Sequence, residues 1–165
     1  KDIKGYDIRD VGWAYSAYEW AAIPGTILCG WLSDRIFKGR RALTIMIYMA
    51  LVALFVCIYW KNMGSMLLDN VALIAIGFLI YGPVMLIGVQ ALDLAPKKAA
   101  GTAAGLTGFF GYFFGTALLA NIAMGALVEH LGWDWGFALL LAACGLSILL
   151  IGCTYRAEKA LFEER

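Results

Sequence analysis

Charge is almost absent from five long stretches of this chain. Residues 11–33, 42–60, 70–92, 99–128 and 135–155 contain none of the 13 Lys and Arg residues and, of the 12 Asp and Glu residues, only Glu19. Each stretch is 19 to 30 residues long, and about 20 apolar residues at a rise of roughly 1.5 Å cross the roughly 30 Å hydrocarbon core of a bilayer. The pattern predicts five transmembrane helices, over about 11–33, 42–60, 69–93, 99–129 and 134–155. A composition 62% hydrophobic and 15% charged excludes an ordinary soluble domain. A transmembrane barrel needs segments of about ten residues with alternating polarity, and these stretches do not alternate. The expected fold is therefore all-α and integral to the membrane.

The connections are six to ten residues long, which makes consecutive helices antiparallel neighbours and residues 1–165 a single membrane domain. The first connection carries Arg35, Lys38, Arg40 and Arg41, the third Lys97 and Lys98, and the tail Arg156, Lys159 and Arg165. The second holds only Lys61 and the fourth no Lys or Arg. Short cytoplasmic loops are enriched in Lys and Arg, so the chain is expected to start outside, in the periplasm, and to end in the cytoplasm. A chain that starts at Lys1 rather than Met and enters its first span from outside is expected to be the C-terminal part of a longer protein. Cys29, Cys57, Cys144 and Cys153 lie inside the spans without CxxC spacing, which indicates neither a disulfide framework nor zinc. One histidine, His130, offers no metal centre; no cofactor is expected, and a net charge of +1 gives no reason to expect nucleic acid.

Inside the spans a few residues stand out. Glu19 is the one ionisable group at membrane depth, at a cost of about 2.5 kcal/mol or more, so it should face a bundle interior or a wet cavity. Either an interhelix hydrogen bond or a gate against a cation fits it, and Tyr15 lies one turn away on the same face. Pro24 and Pro83 each remove a backbone hydrogen bond and kink a helix, beside Gly25 and Gly82. Transporters place substrate near the bilayer midplane beside irregular helices. Tyr81 falls about 12 residues from the outer end of its span and Tyr112 about 13 from the inner end of its own, roughly 18 and 20 Å deep. Both hydroxyls are expected near one central plane. Gln90 and Asn121 are expected to make packing hydrogen bonds. The spacings Gly101/Gly105 and Gly111/Gly115 suit close helix contact, and Phe109, Phe110, Phe113 and Phe114 suit packing or lipid.

The connection Gly30-Trp31-Leu32-Ser33-Asp34-Arg35-Ile36-Phe37-Lys38-Gly39-Arg40-Arg41 resembles the signature loop of the major facilitator superfamily, with Gly30, Asp34, Arg35, Gly39, Arg40 and Arg41 at its defining positions. The stretches Gly77 to Gly88 and Asp93 to Gly105, together with Tyr18-Glu19 and Ile23-Pro24-Gly25-Thr26, resemble the organophosphate:phosphate antiporters of that superfamily, nearest the branch that carries glycerol-3-phosphate. The resemblance spans essentially the whole chain, as helices 8 to 12 of twelve. It implies an alternating-access exchanger of the bacterial inner membrane, moving an organic phosphate against inorganic phosphate, with Tyr81 and Tyr112 as hydrogen-bond donors to substrate and Glu19, beside Tyr15, as a gate or charge partner. Ala104 and Thr107 stand where hexose-phosphate members carry an acidic residue and a lysine, which favours glycerol-3-phosphate. The arginines that clamp phosphate come, in the resembled proteins, from helices 1 and 7, outside this chain. A sugar-phosphate sensor built on the same fold is the alternative. An enzyme is disfavoured, because no nucleophile-base pair or metal cluster is visible.

Overall fold

A computed structural model describes residues 7–62 and 64–163, and those residues contain helices and no strand. Five long helices carry the charge-poor stretches: α1 (Ile8–Arg35), α2 (Arg41–Lys61), α3 (Met66–Leu94), α4 (Lys97–Leu131) and α5 (Trp133–Glu163). Their ends follow from local chemistry. Asp7 accepts a hydrogen bond from Ile8 N at 2.7 Å at the start of α1, and Ser65 accepts from Leu68 N at 3.4 Å at the start of α3. Both occupy amide donors that a helix N-terminus leaves free. Gly132, at φ +88°, turns the chain from α4 into α5 in a conformation that side chains rarely adopt. Pro24 and Pro83 lie inside continuous helices.

Among the described residues four helices are long and apolar enough to cross a membrane: Arg41–Lys61, Met66–Leu94, Lys97–Leu131 and Trp133–Tyr155. The sequence predicts five. At 28 residues α1 has the length, but Glu19, Pro24 and a run of tyrosines and tryptophans dilute its apolar character. Its lateral packing, rather than its hydropathy, ranks it with the others. Lys1, Asp2, Lys4 and Arg165, on which part of the expected orientation rests, lie outside the described residues.

The packing order differs from the chain order. α3 lies between α1 and α2, and α2 lies between α3 and α5, while α4 touches chiefly α3 and α5. The core runs along α2 and α3, where Ile45, Val52, Leu79 and Leu86 are buried with Cys29 of α1 and Cys144 of α5. Polar groups lock the layers. Gln90 Nε2 donates to Thr154 Oγ1 at 3.1 Å between α3 and α5, the packing bond expected of it, and Trp60 Nε1 donates to Asp134 Oδ1 at 2.7 Å between α2 and α5.

Small residues let α1 approach α3, but at positions other than those the GxxxG spacings mark. A Cβ on Gly25 would strike the Phe78 carbonyl, one on Gly77 the Tyr18 carbonyl, and one on Gly82 the Cys29 side chain. Around Gly101, Gly105 and Gly111 nothing lies within 4 Å of where a Cβ would stand. Spacing marks a smooth face; a neighbour's backbone has to arrive before that face becomes a contact.

Candidate functional site

The α1–α3 contact builds the site. With the Tyr18 carbonyl seated on Gly77, the next residue of α1 is Glu19, and Tyr81 lies one helical turn beyond Gly77 on the same face of α3. Their side chains meet: Tyr81 Oη stands 3.3 Å from Glu19 Oε1 and 3.2 Å from Oε2, and the hydroxyl donates to the carboxylate. Tyr18 packs edge-on to Tyr81 with ring centroids 6.2 Å apart, and Tyr15 stacks on Tyr18 at 6.1 Å. Three tyrosines and one glutamate thus form a polar strip down the α1–α3 seam.

That strip faces a cavity of about 700 Å³. Asp10, Tyr15, Tyr18 and Glu19 line it from α1, Tyr59 from α2, Asp69, Asn70 and Tyr81 from α3, and Thr116 and Ala120 from α4. Among the described residues lining it there are three carboxylates and no Lys, Arg or His. A cavity lined in this way offers hydroxyl donors and negative charge, and by itself it has no fixed cation with which to hold a phosphate dianion.

The predicted residues divide accordingly. Tyr15, Glu19 and Tyr81 come together, the last two in direct contact. Tyr112 does not join them: it is 77% exposed on α4, while Thr116 and Ala120 of the same helix line the cavity. Depth computed from rise per residue gives height and leaves the side on which a residue points undetermined. The backbone of α4 is, moreover, wound as a π-helix over Phe110–Ala123, which offsets the angular position expected from 3.6 residues per turn. Asn121 lies in that wound segment, exposed.

At the opposite end of the same helices the signature loop forms a second polar centre. Lys38 at φ +54° and Gly39 at φ +81° reverse the chain, with Gly39 N donating to Ser33 O at 2.8 Å. Arg41 then reaches back, its Nη1 2.7 Å from Asp34 Oδ1 and its Nε 3.0 Å from Asp93 Oδ2. One guanidinium thereby ties the start of α2 to the ends of α1 and α3, using its fork of donors. Arg35 and Arg40 are exposed, and Gly30 lies 3.5 Å from Met85 Cε, measured from its Cβ position.

Sequence reasoning missed Asp93 as the partner of Arg41 and missed Asp69 and Tyr18 in the cavity. Asp69 is 1% exposed. It stands at the edge of a charge-free stretch, where the sequence alone does not distinguish a buried carboxylate from an exposed one.

A family model for the Major Facilitator Superfamily matches residues 1–163. The chain belongs to this superfamily. It is 57% identical over 159 residues to the glycerol-3-phosphate transporter of Bacillus subtilis, covering 96% of this chain and 36% of that protein. It is 48% identical to the glycerol-3-phosphate transporter of Haemophilus influenzae, over 90% of the chain and 34% of the relative. With the hexose-6-phosphate:phosphate antiporter of Escherichia coli it shares 39% identity over 92% of the chain and 32% of the relative. The chain spans about a third of the length of the curated relatives it matches. These are the organophosphate carriers that the sequence motifs resemble, and the sensor reading finds no support among them. Superfamily membership and the apolar helices make this a multi-pass membrane protein.

Proposed function

We propose that this chain is part of a secondary transporter that exchanges glycerol-3-phosphate for inorganic phosphate by alternating access, and that it is not an enzyme. The observation that carries the reading is the 57% identity to a glycerol-3-phosphate transporter across nearly the whole chain. The cavity supports it, with tyrosine hydroxyls and the Glu19 carboxylate brought together between two helices that contain prolines. In this reading residues 1–165 form one membrane domain corresponding to helices 8 to 12 of a twelve-helix carrier in the bacterial inner membrane. Their first residues face the periplasm and their last the cytoplasm.

Within the cavity, Tyr81 donates a hydrogen bond to Glu19 in the empty site and to phosphate or glycerol oxygens when substrate is bound. Glu19 takes the cationic partner that the cavity lacks, and Tyr15 flanks it. Tyr112, exposed on α4 outside this cavity, acts as a second donor on the face that the remainder of the transporter covers. The cations that neutralise phosphate come from the remainder of the transporter. The test is exchange by the complete carrier in phosphate-loaded vesicles: external glycerol-3-phosphate should release phosphate faster than glucose-6-phosphate does. Equal or inverted preference would overturn the substrate assignment, and no release with either would overturn the exchange mechanism.

A further inference from the structure

Asp69 is buried in the first turn of α3, 1% exposed, and the exchange chemistry above does not use it. An ionisable group in a membrane helix is expensive wherever it is shut away from water, so what surrounds it has to explain why a carboxylate stands there. Two things hold it. The N-terminal end of a helix favours negative charge, and Asn62 Nδ2 donates to Asp69 Oδ1 at 3.0 Å. The same nitrogen donates to Ser65 O at 2.7 Å, so both hydrogens of the Asn62 amide are used. Ser65 O also accepts from the Asp69 backbone N at 3.1 Å, and Ser65 Oγ caps Leu68 N. The connection from α2 to α3 is thereby closed into a ring of hydrogen bonds whose buried member is Asp69.

That ring stands at the wall of the cavity. Tyr59, one turn before Asn62, lines it from α2, and Met66, Asp69, Asn70 and Leu73 line it from the first two turns of α3, facing Asp10, Tyr15 and Tyr18 on α1. The deeper α1–α3 seam is fixed by backbone contact at Gly25 and Gly77. At the helix ends beside the α2–α3 connection nothing lies within 4 Å of a Cβ placed on Gly12 or Gly64, and there the hairpin bonds tie α2 to α3.

We propose that Asp69 is a positioning residue for the outer half of the transport cavity: through Asn62 it holds the α2–α3 hairpin, and so sets how far Tyr59 and Asn70 stand from Tyr15 and Tyr18. The proposal rests on the exchange reading for its kinetic consequence and on the hairpin alone for its structural one, and two readouts separate them. The first is hydrogen exchange of the amides of residues 62–70 in the complete transporter. Asp69→Ala and Asn62→Ala should each speed exchange there roughly tenfold, the double variant no more than either alone, and Asp69→Asn, which keeps an acceptor, should stay near the parent. The second is transport. Asp69→Ala should raise the KM for external glycerol-3-phosphate roughly tenfold with kcat per folded carrier unchanged, whereas a purely structural role lowers the amount of folded carrier and leaves KM alone. Unchanged hairpin exchange in both single variants overturns the proposal, as does a KM equal to that of the parent in a carrier that transports. If the parent exchanges no phosphate while the hairpin responds as stated, the transport reading fails and the positioning role stands. Should Asp69→Ala fail to fold, Asn62→Ala gives the same two readouts, with Asp69→Asn as the variant that stays near the parent.

Discussion

At the scale of single residues, one hydrogen bond stands at the centre of the proposed site. Tyr81 donates to Glu19 across the α1–α3 seam, and a hydrogen bond to a charged acceptor contributes on the order of 1–3 kcal/mol. In the complete carrier, Tyr81→Phe and Glu19→Gln are each expected to raise the KM for glycerol-3-phosphate by about tenfold. Because the two groups share a bond, the double variant should lose less than the two singles added together. Initial exchange rates against substrate concentration give both quantities, and full additivity would separate the pair functionally. Tyr112→Phe is expected to raise KM as well; unchanged kinetics would remove Tyr112 from the site. Glu19 and Tyr81 were legible in the sequence because a charge and a hydroxyl inside apolar runs need a polar setting. Their pairing, 62 residues apart, was not, since no local pattern encodes which faces of two helices meet. Asp69 was missed for a different reason: at the edge of a run, burial and exposure look the same in sequence.

At the scale of the helix, close approach depends on isolated small residues. Gly25 and Gly77 receive backbone atoms of the partner helix, so neither can accept a methyl without moving α1 away from α3. Gly25→Ala and Gly77→Ala are expected to destabilise the bundle by about 1–3 kcal/mol, while Gly88→Ala, with nothing within 4 Å of its Cβ position, should stay within about 0.5 kcal/mol of the parent. Graded denaturation in detergent ranks them, and equal costs at all three would show that α1 does not sit on α3 as described. Arg41 makes a parallel case at the opposite ends of these helices. It bridges Asp34 and Asp93, both largely exposed, so Arg41→Gln should cost only about 1 kcal/mol. Adding Asp93→Asn should cost little more, which the same denaturation series reads. The existence and approximate extent of the helices followed from charge-free runs. The burial of α1 against α3 did not, because it depends on neighbours rather than on composition, and the π winding of α4 has no signature in composition either.

At the scale of the whole molecule, the distribution of charge connects fold to mechanism. The cavity lined by Asp10, Glu19 and Asp69 presents no cation among its described lining residues, yet the relatives that this chain matches at 57% and 48% identity are glycerol-3-phosphate transporters. A carrier of a phosphate ester needs fixed cations at its site. In the proposed exchanger these 165 residues supply the hydroxyl donors and the gating carboxylate, and the rest of the transporter supplies the phosphate clamp. The most direct measurement is phosphate exit from phosphate-loaded vesicles on addition of external glycerol-3-phosphate, comparing this 165-residue piece with the complete transporter at equal amounts of inserted protein. The account predicts exchange by the complete transporter and none by the piece. Substrate-dependent exchange by the piece alone would contradict it.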